Sequence, residues 1–545
     1  MTPEKGVPDF VSHGHTRRQV VRGTLAGGVV VGLGGLLAAC GGDSDSGAAT
    51  GSSTGATTAA EPGSFRRGGT LRVGATGGGA RDTLDAHRTT SDPDMARIWN
   101  LYEPLAVRST SFEELEMLVA ESIEPEGKTA DTWIVKIRPG ILFHDGRPVT
   151  ADDVIFSIQR ILDPRDPKQG AASIGYVDYR RLRKLDDKTV RIPLRQPNAG
   201  FPDDIGQPFN GIVPVGYDPR APIGTGAFRY QSFTPGEQST FVRNEHYWQE
   251  GKPAVDTLVI IDFADDAARV NALLGDQVDA IDNLPAPQIA SVRANPKLRV
   301  LISRTGAWKP ITMRVDAAPF DDVRVRQAFR LIVDREQMVQ QVLAGEGEIA
   351  NDIFGRYDAA YNSSLPQRTQ DLEQARALLK QAGREGLSIE FVTAPVFQGA
   401  VEQAQVFAQQ AKGAGVDVKL RKVDSSTFYG PDYLRWVLAQ DSWSTRLYLP
   451  QVSQSNLPTS PFNETHWNPP EFVKLIDQAR AELDEAKRTE IIHQAQRMQY
   501  EQGGEIIPYW SNMIDAHSAA VGGFVEARSG FNLGNFWFKN VGFIR

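Results

Sequence analysis

The 545-residue chain has a single cysteine, Cys40, so no internal disulfide can form and no multi-cysteine zinc or iron-sulfur site can be built. Basic residues are outnumbered too, 59 against 67 acidic ones. The formal net charge is -8, and Lys5, Arg17, Arg18 and Arg22 outweigh Glu4 and Asp9 in the first 39 residues, so the remainder carries -10. A surface of that sign repels phosphate backbones, and no basic cluster interleaved with aromatics interrupts it; nucleic acid is not an expected partner. Catalytic motifs are missing as well. There is no H-E-x-x-H, Walker A or EF-hand loop, and the histidines (His13, His15, His87, His144, His246, His466, His493 and His517) are scattered without ligand spacing. The one formal nucleophile-elbow match, Gly51-Ser52-Ser53-Thr54-Gly55, lies in low-complexity sequence that supplies neither the strand before it nor the helix after it. No metal, cofactor or catalytic residue is therefore expected.

The N-terminus reads as an export address. Arg17 and Arg18 stand in Thr16-Arg-Arg-Gln-Val-Val-Arg22, ahead of an uncharged stretch from Thr24 to Ala39. This order resembles the twin-arginine signal. The stretch ends in Leu37-Ala38-Ala39-Cys40, which resembles the lipobox of bacterial lipoproteins and implies a lipid on Cys40 after cleavage before it. A single-pass helix is the alternative, but the run is shorter than the roughly 20 residues a hydrocarbon core requires. Two or more acyl chains would anchor stably. Gly41 to Ser64 is almost entirely Gly, Ser, Ala and Thr, a composition that makes a flexible tether.

The body is of ordinary globular composition, 41% hydrophobic and 23% charged, and too long for one compact core. Thr70–Thr76 and Trp133–Ile137 alternate as strands. Helices are predicted after the caps Ser91, Thr150 and Asp371, the last with Leu372, Ala375, Leu378, Leu379 and Ala382 on one face and Gly383 as its stop. Intermingled strands and helices of this kind indicate an α/β fold.

Several segments, in order, carry a family resemblance. They are Arg138-Pro-Gly-Ile-Leu-Phe-His-Asp-Gly-Arg-Pro-Val-Thr-Ala-Asp-Asp-Val154, Pro222-Ile-Gly-Thr-Gly-Ala-Phe228, Arg243-Asn-Glu-His-Tyr-Trp248, Pro319-Phe-Asp-Asp-Val-Arg-Val-Arg-Gln-Ala-Phe329 with Asp334-Arg335, Glu373 to Gly383, and Asn463-Glu-Thr-His-Trp467. Together they resemble the peptide/nickel/oligopeptide class (family 5) of solute-binding proteins of ABC importers, over about residues 68 to 545. The resemblance implies an α/β, two-lobed clamp of the periplasmic-binding-protein type II kind with an extra subdomain on the first lobe. On that pattern, residues 1–39 are the signal peptide and 40–66 the lipidated cysteine and tether. Lobe I is 67–282 with the subdomain at about 104–219, lobe II is 283–510, and 511–545 return to lobe I.

The resemblance also directs attention to Asp441-Ser-Trp443-Ser-Thr-Arg446-Leu-Tyr-Leu-Pro450. Peptide-binding relatives carry Trp-x-x-Asp-Tyr-x-Asp-Pro there, and the first Asp holds the peptide's amino terminus. Here Arg446 takes that place and Leu449 that of the second Asp. A guanidinium presents a planar fork suited to carboxylate or phosphate, so the implied ligand carries an acidic group. The alternative is a surface arginine paired with an acid such as Asp441. Trp443 is expected either to wall the ligand or to be an ordinary core tryptophan. Dipeptide-type relatives have an Arg-x-Tyr where this chain has Gln398 and Ala400, so a simple dipeptide is disfavoured. Thr90 and Ser91, at a helix start, are candidates for donors from lobe I or for plain caps.

The implied function is an extracytoplasmic receptor, monomeric and lipid-anchored on the outer face of the cytoplasmic membrane, which delivers a small or peptide-like ligand to a permease with a cytoplasmic ATPase. A membrane-anchored sensor of the same fold and an extracytoplasmic hydrolase are the alternatives. The absent catalytic constellations argue against the latter.

Overall fold

The computed structural model describes residues 65–89 and 91–545; Arg17, Arg18, Cys40 and Thr90 lie outside the described residues. The period-two run Thr70–Thr76 is a strand whose Leu71, Val73 and Ala75 are fully buried. It lies inside an eight-stranded sheet, running parallel to Thr257–Phe263 on one side and to Ala280–Ile281 on the other. The helix Asp266–Leu274 joins those two neighbours, as parallel connections require. Ser91 caps the helix Asp92–Leu101, which packs Ile98 and Leu101 into the same core as Leu258, Ile260 and Phe241.

A second core draws all its fully buried members from residues 105 to 212. There the strands 120–125, 132–137, 189–193 and 183–186 form an antiparallel sheet covered by Ala151–Ile161, whose start carries the capping box between Thr150 and Asp153. The quoted motifs interlock around this junction. His144 N–H donates to Gly224 O at 2.9 Å, and a Cβ on Gly224 would come within 2.0 Å of Leu101 O, so only glycine fits. Glu103 accepts hydrogen bonds from Thr225, Tyr247 and Trp248 at 3.0, 2.6 and 3.0 Å. The motif residues here hold the fold together.

Residues from about 308 to 510 build a separate set of cores around the helices 323–332, 372–381, 400–413, 470–481 and 485–502 and the short sheet 438–440, 311–313, 505–506. Two long antiparallel strands, Leu298–Trp308 and Tyr509–Ser518, run from the first body into the second. Their register shifts between Arg304 and Ala307, where Thr305 Oγ1 donates to Ser511 O at 2.7 Å and accepts from Ala307 N–H at 2.9 Å. A bulge of this kind bends and twists the pair at the junction. The bodies also touch elsewhere, through Gln454 Nε2 to Ala172 O at 3.2 Å and Ala199 N–H to Arg480 O at 2.7 Å.

Candidate ligand-binding site

The segment singled out in the sequence lies where the two bodies meet. Trp443 and Trp308 pair backbone to backbone, each N–H donating to the other's carbonyl at 2.9 Å. Side chains of directly opposed residues share a face, so the two indoles stack at 6.0 Å and 19°. Phe354 continues the stack on Trp308 at 5.2 Å, and Tyr448 follows on Phe354 at 5.1 Å. The result is a rigid aromatic column. Thr445 fastens the loop to both bodies: its hydroxyl accepts from Gly306 N–H at 2.8 Å and donates to Arg528 O at 2.5 Å. Gly306 is tightly packed against the loop, and a Cβ there would lie 3.0 Å from Thr445 Cγ2, so Thr445 would have to give by a few tenths of an ångström.

Arg446 sits on this column with its guanidinium 5.4 Å from the centre of the Trp443 ring. Among the described residues its one hydrogen bond is a long contact from Nη1 to Gln451 Oε1 at 3.4 Å. Burial pushes the guanidinium down to about 10, and no carboxylate among the described residues acts on it in the opposite sense. The pairing with Asp441 is not formed. Asp441 is instead buried against Tyr429 and Tyr433, whose hydroxyls donate to it at 2.9 and 2.8 Å, and against Ser442 N–H at 2.7 Å. Behind it stands Glu464, also buried, and loss of water raises both acids. The Asp441 charge adds to the burial in disfavouring charge on Glu464.

The remaining candidates are placed less centrally. Ser91 spends its hydroxyl on the helix start, accepting from Asp94 N–H at 3.3 Å and donating to Asp82 at 3.1 Å, so it acts as a cap. Gln398 is exposed in the turn before the helix Ala400–Gly413. Its neighbour Phe397 faces a residue that the sequence reading missed, Lys309, whose ammonium lies 5.5 Å from that ring. Trp308 was missed as well. Both are placed by the strand pairing with residues 442–443, a long-range contact without a local signal. Leu449, buried in the helix Tyr448–Ser455, packs into the core. Among the described residues no group of three His, Cys, Asp or Glu side chains could hold a metal ion.

Residues 114–474 match the model of "Bacterial extracellular solute-binding proteins, family 5 Middle". Heme-binding protein A of Haemophilus influenzae is 26% identical over 477 residues, which is 79% of this chain and 85% of that protein. The dipeptide-binding protein of Escherichia coli is 27% identical over 462 residues, 77% of this chain and 84% of that protein. Among solved structures, the periplasmic binding protein AgaA with agropinic acid, from A. tumefaciens R10, superposes with a TM-score of 0.73 at 24% identity, covering 87% of this chain and 99% of that one. Family match and fold agree with the resemblance carried by the motifs. The chain belongs to the family 5 extracellular solute-binding proteins and is an extracytoplasmic solute-binding receptor of an ABC importer, a binding protein and not an enzyme.

Proposed function

We propose that this receptor captures a small organic anion, peptide-like or opine-like, with its acidic group on Arg446 and an apolar part against Trp443. One observation carries the reading: a desolvated guanidinium that the described residues leave without an acid. Withdrawing a cation from water is costly unless a counter-charge arrives, and a ligand closing between the lobes would bring one. Relatives with known cargo span such chemistry, from dipeptides in the Escherichia coli protein to agropinic acid in AgaA. Ligand shared by both bodies favours their closed arrangement, which is the form offered to the permease. The second lobe is the body built by about 308–510, so it starts later than the expected boundary of 283, and the receptor acts as a monomer.

Native mass spectrometry of protein purified from its own host identifies the ligand. Calorimetry with that ligand is then expected to show about 30-fold weaker binding for Arg446→Ala, with only partial recovery in Arg446→Lys because the bidentate fork is lost. Unchanged affinity, or a cargo without any acidic group, sinks the reading. The anchor is a second element of the proposal: export through Arg17 and Arg18, then a lipid on Cys40 holding the receptor at the membrane. Metabolic labelling with a palmitate analogue tests it, and a Cys40→Ala chain that still takes up the label overturns it.

A further inference from the structure

Among the described residues Lys309 is the second cation of the site without an ion pair. It follows Trp308 on the strand that enters the second body, and its Nζ donates to Ser442 Oγ at 2.5 Å. No carboxylate lies within 4.0 Å among the described residues. An ammonium has three donors, and Ser442 occupies one of them. The groups around it are the Phe397 ring, Ser442 and Asp441, with Tyr429, Tyr433 and Glu464 beyond Asp441; Gln403 Nε2 donates to the Lys309 carbonyl from the helix behind. Asp441 is the one acid acting on the ammonium, and it does not offset the burial, which pushes Lys309 down to about 8. Among the described residues Ser442 is the one group that accepts from the ammonium, so its other donors are left for another anion.

The same short segment, Ser442 to Arg446, touches both cations. Ser442 holds Lys309 at one end, Arg446 rises over Trp443 at the other, and the Trp308–Trp443 pair fixes the strands that carry them. We infer that Lys309 is a second anion anchor, and that the ligand is a dianion whose two acidic groups are separated by a stretch long enough to span the segment from Ser442 to Arg446. This rests on the assignment of Arg446 to the ligand and adds a second point of attachment to it. A dianion would be distinguished from a monoanion by the charge left unpaired at Lys309, and charged groups so deprived give large discrimination.

Calorimetry with α,ω-dicarboxylates from succinate to sebacate, each beside its own monoamide, tests this on the full folded body. At least one diacid is expected to bind the unmodified protein about 30-fold more tightly than its monoamide. Lys309→Met is expected to abolish that preference, bringing diacid and monoamide to within about 3-fold of each other. Near about pH 8.5, diacid binding should draw a proton onto Lys309, seen as a dependence of the heat on the buffer. Lys309→Arg keeps the preference and loses the proton uptake, because arginine is already charged. A thermal melt of each variant reports its folding. Equal binding of diacid and monoamide, no binding by any diacid, or a preference that survives in Lys309→Met overturns the inference. If the preference survives Lys309→Met but binding collapses in Arg446→Ala, only Lys309 is misassigned. Loss in Lys309→Met with none in Arg446→Ala leaves Lys309 standing and removes Arg446.

Discussion

Arg97 and Arg446 are both arginines drawn out of water, one in the framework of the first lobe and one between the lobes, and the chain treats them in opposite ways. Arg97 is fully buried and meets Asp82 at 3.1 Å, Asp94 at 3.0 Å and Asp262 at 2.5 Å, with Ser239 on its Nε and the Phe233 ring 4.8 Å away. The second lobe has the mirror image of this hub. Asp352, also fully buried, receives Arg335 at 2.7 Å and Arg368 at 2.5 Å, with Arg330 at 4.0 Å. Buried framework charges are thus closed by the chain itself. Arg446 has a ring and one long contact with a glutamine amide. The difference separates two uses of a buried charge: one with its partners in place holds the fold, and one left open is what the proposed ligand would meet.

One substitution made at both places puts the contrast to the test. Arg97→Met leaves three aspartates facing each other without their cation, and breaking such a buried network is expected to cost about 3 to 5 kcal/mol in urea unfolding. A loss below about 1 kcal/mol, the size of an exposed surface pair, would erase the distinction between the two arginines. Arg446→Met removes a charge that the unliganded protein keeps at a cost, so the ligand-free receptor should gain about 1 kcal/mol. The same variant should lose the ligand-induced rise in melting temperature, which follows from affinity by mass action. A ligand-free Arg446→Met protein that is destabilised as strongly as Arg97→Met would mean that Arg446 belongs to the framework after all.

Much of the framework was legible in the sequence because its signals are local. The alternation in Thr70–Thr76 gives a strand with those limits, and the caps Ser91, Thr150 and Asp371 each open a helix. Gly383 follows the third of these helices at a φ of 67°, in the left-handed region that glycine tolerates. Leu372, Leu378 and Ala382 pack only partly, while Ala375 and Leu379 are buried, so the predicted face is the right one but narrower than expected. The site was legible in part. Position in a motif pointed to Trp443 and Arg446, yet the pairing of Arg446 with Asp441, sequence neighbours that could have met, is replaced by a tyrosine cage around Asp441. Lys309 carried no signal at all.

Periodicity, capping residues and ordered motifs depend on neighbours within a few turns of chain, so the sequence by itself determined the α/β elements and the family of this receptor. Whether a charge is paired depends on residues far away in the chain. Trp308 meets Trp443, Thr445 meets Arg528, and Tyr429 takes Asp441, the acid expected beside Arg446. Only the tertiary structure decided these contacts, because Coulomb energy and desolvation follow distance in space and not separation in sequence.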